Sequence, residues 1–435
     1  MTSRDSRVRL VAGLVVAAYI AIVAVWSFVI PLGGGIDEPR HLRYVQVIAE
    51  EGRLPTPAEK QEAISHHPPL HYLILAPIYL ATRGMGDQAA WHVLRFASIV
   101  MGVGTVILVF ATLRRLLPQR PWAAVAGMAF LALLPHFQMI SGFLSNDASV
   151  TLFITLMLYC TVRAIREPQR ALIWSAAAGL AGGAATAAKM NGLIPIPAAL
   201  LVVGISAYLS KPKPELRDTS RALLNMGGFA GTFLITGGVA IGRQLLVWGT
   251  LESDPAWPER LWPVHTFAEK LARAVEGLYR STWAQPGWLP GPHSSPPLAP
   301  TDLWPRPDIE TTLLALMLPF TLIGLIGTVL LCIWWLRSAQ DRAKGLGGAL
   351  LTAVSLLAYA AVAYRAIYVH PGSHEAARYA LQSVAGVVGM LSVGPLILPR
   401  RWTVVCWVCI AVLLAAMVAV SFWEMHTYLI PTFAP

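Results

Sequence analysis

The sequence predicts an all-α polytopic membrane protein, and three observations carry that prediction. Hydrophobic residues make up 56% of the 435 positions and charged residues only 13%, a balance that excludes an ordinary soluble globular domain. Mean hydropathy is +0.58. Apolar stretches able to cross about 30 Å of hydrocarbon as helices recur along the whole chain. They lie near residues 8–31, 93–113, 121–141, 148–166, 170–188, 192–209, 222–248, 311–336, 345–368, 378–398 and 402–424, which gives about 11 transmembrane helices in one domain, 1–435.

The first stretch follows Arg4, Arg7 and Arg9 and precedes Gly33 to Gly35. Its apolar run is about twice a typical signal-peptide core and further spans follow, so it reads as an uncleaved anchor. Dividing the later loops alternately gives the orientation. The N-terminus with the loops near 114–120, 163–170, 211–221, 337–344 and 400–401 holds 18 Lys and Arg against 5 acids; the other set holds 15 against 18. The basic set is expected in the cytoplasm, which puts the N-terminus inside and the C-terminus outside a plasma (inner) membrane. The net charge of +10 then reflects topology, and no nucleic-acid surface need be invoked.

Two segments on the outer side are large enough to build a site, 32–92 and 249–310. In the first, Leu42, Val45 and Ala49 recur at helical spacing over residues 40–51, as in a helix lying on a membrane surface. Residues 69–82 are apolar but only about fourteen long, so they read as re-entrant or interfacial. The second segment holds eleven prolines and five tryptophans, Trp257, Trp262, Trp283, Trp288 and Trp304. Within it Phe267, Leu271, Val275 and Leu278 mark one amphipathic helix. Its indoles suit either sugar stacking or interfacial anchoring. Cys160, Cys332, Cys406 and Cys409 all fall inside spans, and packing is their expected role despite the CxxC spacing of the last two.

Ionisable residues gather at the outer ends of the spans: Asp37 and Glu38, Asn146 and Asp147, Lys189, Arg243, Arg365, and His374, Glu375 and Arg378. Charge at that depth is costly and ordinarily has a partner or a function. Arg suits bidentate phosphate binding and Lys acts as a compact charge, so the ring would suit a lipid phosphate. Simpler readings exist for each residue taken singly. Asp37 before Glu38-Pro39 is a good helix start, Asn146-Asp147 can cap the fourth span, and the cations can snorkel to headgroups. His41, His66, His67 and His71 lack a closed metal-ligand pattern.

Taken in order, Asp37-Glu38-Pro39, Gly52-Arg53-Leu54-Pro55, His67-Pro68-Pro69-Leu70-His71-Tyr72, Asn146-Asp147, Ala188-Lys189 and Ala377-Arg378-Tyr379 resemble the landmarks of the GT-C superfamily. The closer likeness is to the branch of protein O-mannosyltransferases and aminoarabinose transferases and related uncharacterised bacterial membrane proteins. Trp283-Ala284-Gln285-Pro286-Gly287-Trp288 resembles an aromatic-Gly-Trp segment of that branch. The resemblance implies a GT-C-like fold and an inverting glycosyltransferase that moves a sugar from a polyprenyl-phosphate donor to an acceptor hydroxyl at the outer face. It assigns Asp37 as base, with Glu38 and Asp147 orienting the acceptor or supporting the base. It also puts Lys189 and Arg378 near the donor phosphate, to which topology adds Arg243 and Arg365. Donor or acceptor contacts are expected from His41, His67, His71, Tyr72, Asn146, His374, Glu375, Tyr379, Trp283 and Trp288. The partners implied are polyprenyl phosphate, the bilayer and a glycan, lipid or protein acceptor. No cofactor is required beyond the lipid-linked sugar, and the acidic positions are compatible with a divalent metal or with none.

Two departures stand out. His67 occupies a place where relatives often carry Lys, and Ala380-Leu381-Gln382 lacks the proline that many relatives have after Arg-Tyr. The rival reading is a transporter, flippase or accessory subunit for a lipid-linked anion. A transporter predicts polar residues at the bilayer midplane, whereas here mid-span positions are mostly Ala, Leu, Val and Gly.

Overall fold

A computed structural model describes residues 3–209, 216–251, 266–283, 308–369, 380–424 and 426. The longer elements, in chain order, are α1 (Ser3–Val29), α2 (Glu38–Glu51), α3 (Leu70–Thr82), α4 (Asp87–Leu116), α5 (Pro121–Ala132), α6 (Pro135–Gly142), α7 (Asn146–Arg166) and α8 (Ala171–Ala188). They continue with α9 (Ile196–Leu209), α10 (Leu216–Phe233), α11 (Val239–Trp248), α12 (Phe267–Trp283), α13 (Asp308–Arg337), α14 (Arg342–Tyr364), α15 (Val384–Val393) and α16 (Arg400–Glu424). Among the described residues every regular element is helical.

Nine helices among these residues are long and apolar enough to cross a membrane, so the chain is a multi-pass membrane protein. Two of the eleven expected stretches are not single long helices. The stretch 121–141 is a pair, α5 and α6, bent by 60°. Pro135 is the cause: it has no N–H to continue the helical ladder and pushes Leu134 out of the helical region, to φ −78° and ψ 112°. The stretch expected at 378–398 is a shorter apolar helix, Leu381–Ile397, with 3₁₀ turns on both sides of α15. The long stretch Asp218–Trp248 contains a π-helical segment at Leu234–Gly238.

The principal core joins α1, α4 to α8 and α13 to α16 around Tyr19, Trp26, Phe137, Met157, Val354 and Leu414. A second apolar cluster, with Tyr44, Ile64, Tyr72, Leu75, Leu94 and Leu144 at its centre, lies where α2 and α3 pack on the first turns of α4 and on α7. As expected, α3 is too short to span: its 13 residues reach about 20 Å. The helix expected at 40–51 is α2, but its buried residues are Glu38, His41, Tyr44, Val45 and Val47. Polar groups therefore enter the face that packs on α3. The helix expected near 267–278 is α12. Its apolar stripe is largely uncovered, with Phe267 58% and Val275 55% exposed, while Ala274, Gly277, Leu278 and Ser281 make the buried face.

Candidate active site

The site begins where α1 runs out. In a regular helix the Ser27 carbonyl would accept from the N–H four residues on, but that residue is Pro31, which has none. Arg95, near the start of α4, supplies the missing donor. Its Nη1 donates to Ser27 O and Ile30 O, both at 2.6 Å, and Nη2 donates to Pro31 O at 2.7 Å. The remaining two N–H groups, on Nε and Nη2, donate to Glu38 Oε1 and Oε2, both at 2.7 Å. All five guanidinium donors are thereby used.

Glu38 is equally committed. Besides the Arg95 fork, Oε2 accepts from Gly33 N and Gly35 N, each at 3.1 Å, and Oε1 from Leu144 N at 3.0 Å. Both side chains are 0% exposed. The glycines are required here: Gly33 adopts φ +81°, and a Cβ on Gly35 would lie 2.6 Å from the Phe143 ring. Glu38 is expected from the sequence to orient the acceptor or to support the base. Its carboxylate is enclosed and ties α1, α4 and the 143–144 turn to the start of α2. Arg95 escaped the sequence analysis because it sits within the apolar run Val93-Leu94-Arg95-Phe96-Ala97. A cation one helical turn or two inside a span was the available signal.

Asp37, the adjacent carboxylate, faces the other way and keeps 27% side-chain exposure. It occupies the N-cap position of α2 with φ +56° and ψ 13°, yet its side chain makes no capping hydrogen bond. The cap reading is therefore insufficient, since the left-handed conformation costs a non-glycine residue about 1–2 kcal/mol. Asp37 Oδ1 instead accepts from Arg40 Nη1 at 3.0 Å, and Arg40 is itself tied to the carbonyls of Lys60 and Gln61. Sequence reasoning also missed Arg40.

The third carboxylate, Asp147, opens α7. Ser145 caps this helix, its Oγ accepting from Asp147 N at 3.2 Å, as a Ser N-cap should. The carboxylate meets Lys189 Nζ at 2.5 Å, with both side chains 4% exposed. Asn146 Nδ2 donates to Ala188 O at 3.3 Å. The Asn146-Asp147 and Ala188-Lys189 landmarks thus form one junction between α7 and the end of α8.

Between these carboxylates lies an aromatic and imidazole layer from α2 and α3. Tyr44 and Tyr72 stack at 3.8 Å, His41 Nδ1 is 2.8 Å from Tyr72 Oη, and the His41 and His67 rings lie parallel at 6.1 Å. His71 Nδ1 meets Ser149 Oγ at 2.6 Å, while its Nε2 is buried without a hydrogen-bond partner. Burial pushes the His71 imidazole down to about 3, with Lys189 reinforcing and Asp147 opposing. Burial also drives the Tyr72 phenol well above its usual range, helped by Tyr44 and by the fields of Asp37 and Asp147. Both carboxylates are thus electrostatically close to one hydroxyl. Tyr44 is pushed up to about 12 by burial, against the nearby Arg243 cation.

Arg243 lies on α11 with Nη1 buried and unpartnered. Asn191, two residues after Lys189, and Gln382, in the 3₁₀ turn that packs on α7, each have both amide atoms buried and unpartnered. Arg365 begins a π-helical segment, Arg365–Val369, against which α12 packs. Trp283 is 2% exposed and lies in the principal core. Trp288, His374, Glu375, Arg378 and Tyr379 lie outside the described residues, as do Trp257, Trp262 and Trp304. Among the described residues no three His, Cys, Asp or Glu side chains converge as a metal-ligand group.

Residues 66–224 match the family described as dolichyl-phosphate-mannose-protein mannosyltransferase. No curated protein matches the chain. The Archaeoglobus fulgidus oligosaccharyltransferase in its apo form is similar at a TM-score of 0.47 and 12% identity, over 93% of this chain and 56% of that one. Its form tethered to an acceptor peptide with the NVT sequon gives 0.45 and 11%, over 93% and 55%. Apo ArnT from Cupriavidus metallidurans gives 0.35 and 14%, over 91% and 79%. This chain spans little more than half the length of the archaeal enzyme. The family match takes in His67-Pro68-Pro69, Asn146-Asp147 and Lys189, the residues of the α7–α8 junction among them, and leaves Asp37 outside its limits.

Proposed function

We propose that the chain is an inverting glycosyltransferase that takes a sugar from a polyprenyl-phosphate donor at the outer face of the membrane. The observation that carries this reading is Asp37. It is a partly buried carboxylate in a strained left-handed conformation, fixed by the enclosed Glu38–Arg95 fork on one side and flanked by the Asp147–Lys189 pair across the Tyr72 layer. Strain of this kind persists where the surroundings over-determine it, which is common at reacting centres.

In the proposed reaction Asp37 takes the proton of an acceptor hydroxyl as that oxygen attacks the anomeric carbon. The bond from that carbon to the phosphate oxygen breaks, and polyprenyl phosphate leaves with the electron pair. Lys189, which pairs with Asp147, would act with Arg243, Arg365 and Arg378 to stabilise the charge on the departing phosphate. The unpartnered amides of Asn191 and Gln382 and His71 Nε2 favour a polar ligand there, because buried polar groups ordinarily have partners. Glu38 acts as a positioning residue, and the imidazoles of His41 and His67 line the approach to Asp37.

The test is to incubate purified protein, and separately Asp37→Asn, with a panel of short-chain polyprenyl-phosphate sugars and acceptor glycans, lipids and peptides, reading polyprenyl phosphate release by mass spectrometry. Release by the wild type alone is expected. Equal release by Asp37→Asn would remove Asp37 as the base, and lipid-linked anion transport by a protein that never releases polyprenyl phosphate would establish the transporter reading instead.

A further inference from the structure

At the end of the bundle opposite Asp37, a groove opens between α5 and α16. Helix α4 separates the two ends: Arg95 lies near its start, Arg114 and Arg115 at its finish, and 30 residues of helix cover about 45 Å. The groove has a volume of about 530 Å³ and is walled by Trp122, Ala126, Phe130, Trp407 and their neighbours. Gln119, Arg120 and Arg400 stand at its mouth.

We infer that this groove is a binding site for an anionic phospholipid, with the phosphate at Arg120 and Arg400 and an acyl chain along the apolar wall. Three observations support the assignment. First, the polar groups that α16 brings to the wall are already occupied. Trp407 Nε1 donates to Ser392 O at 3.1 Å, and Thr403 Oγ1 donates to Pro395 O at 3.0 Å. The α16 side of the wall therefore presents carbon, while the mouth presents donors.

Second, neither Arg120 nor Arg400 makes an ion pair or side-chain hydrogen bond among the described residues, although neighbouring cations at this end do: Arg115 and Arg163 share Glu167, and Arg114 reaches Asp5. Third, no carboxylate among the described residues lines the groove. Two cations with no acid beside them attract a headgroup of net negative charge and give the amine of a zwitterionic lipid nothing to pair with. Basic pockets between membrane helices recognise anionic headgroups in this way, and Arg is the residue suited to bidentate phosphate contacts. The site is independent of the proposed transfer reaction, whose groups lie at the other end of α4.

The test is native mass spectrometry of the detergent-purified full chain titrated with phosphatidylglycerol, phosphatidylcholine or glycerol 3-phosphate. Wild type should retain phosphatidylglycerol in preference to phosphatidylcholine and should not retain glycerol 3-phosphate. Arg120→Gln and Arg400→Gln should each weaken phosphatidylglycerol binding about five-fold, the equivalent of about 1 kcal/mol per basic residue. Ala126→Trp, which fills the groove and leaves both charges in place, should abolish the bound lipid.

Three outcomes overturn the inference. Equal retention of the two phospholipids would remove the charge argument. Unchanged phosphatidylglycerol binding by both Ala126→Trp and the double Arg variant would place that lipid elsewhere. A dimer that Ala126→Trp dissociates, in a wild type that retains no lipid, would assign the groove to a second copy of the chain.

Discussion

Replacing Arg95 by Met tests the assignment on which the site geometry depends. The substitution keeps an unbranched apolar stem and deletes five hydrogen bonds: two to Glu38 and three to the carbonyls of Ser27, Ile30 and Pro31. It leaves a carboxylate with 0% exposure held by three backbone N–H groups alone. Removing one partner of a buried ion pair costs about 3–5 kcal/mol, and hydrogen bonds to charged groups contribute about 1.5–3 kcal/mol each. A loss of about 3–5 kcal/mol is therefore a conservative expectation. The assay is denaturant or thermal unfolding of the detergent-purified variant, followed by tryptophan fluorescence. Glu38→Gln should lose a similar amount, and Glu38→Gln with Arg95→Met should lose clearly less than the sum of the two, because the pair couples. Additive losses, or an Arg95→Met protein as stable as wild type, would refute the clamp. If Glu38→Gln unfolds like wild type and yet transfers no sugar, Glu38 belongs to the reacting centre and not to the scaffold.

Four further predictions follow from the same geometry. Asp37→Gly should relieve the positive φ and raise stability by about 1 kcal/mol while abolishing transfer; a destabilised Asp37→Gly protein would refute the strain argument. Lys189→Met removes the cation that meets the buried Asp147 carboxylate at 2.5 Å, and a loss of about 3–5 kcal/mol in an unfolding titration is expected. Gly35→Ala sets a Cβ 2.6 Å from the Phe143 ring and should cost about 1–3 kcal/mol as overpacking, read as a lowered unfolding midpoint. His71 has its folded pKa depressed to about 3 from 6.5, so the unfolded chain binds the extra proton between those values. Its contribution is complete above pH 6.5 and is lost as pH falls, with a slope of about 1.4 kcal/mol per pH unit; His71→Gln should flatten unfolding stability across that window.

Much of the site was legible in the sequence because its residues sit at the ends of apolar runs, where a charge is conspicuous. Asp147 and Lys189 are 42 positions apart, yet both fall where one span hands over to the next at the same end of the bundle. What adjacency could not reveal is the division of labour between Asp37 and Glu38. Successive residues at a helix start point in different directions, and which of them turns inward depends on Arg95, a cation concealed in the apolar opening of α4. Nor could it reveal why that cation is there. The reason is the orphan carbonyl that Pro31 leaves on Ser27, a defect of α1 repaired from a different helix.

The limits at Trp283 and α12 have another origin. Apolar periodicity marks a face that avoids water, but in a bilayer that face can point at lipid as readily as at protein, because lipid tails are as apolar as Leu. Phe267, Leu271 and Val275 accordingly form the expected stripe and remain exposed. The packed face of α12 is Ala274, Gly277, Leu278 and Ser281, mostly small residues that let helices approach closely. Trp283, at the end of that face, is drawn into the core. In a span or an interfacial helix, then, small residues at helical spacing are the better guide to what packs, and large apolar residues at the same spacing identify the face that meets the lipid.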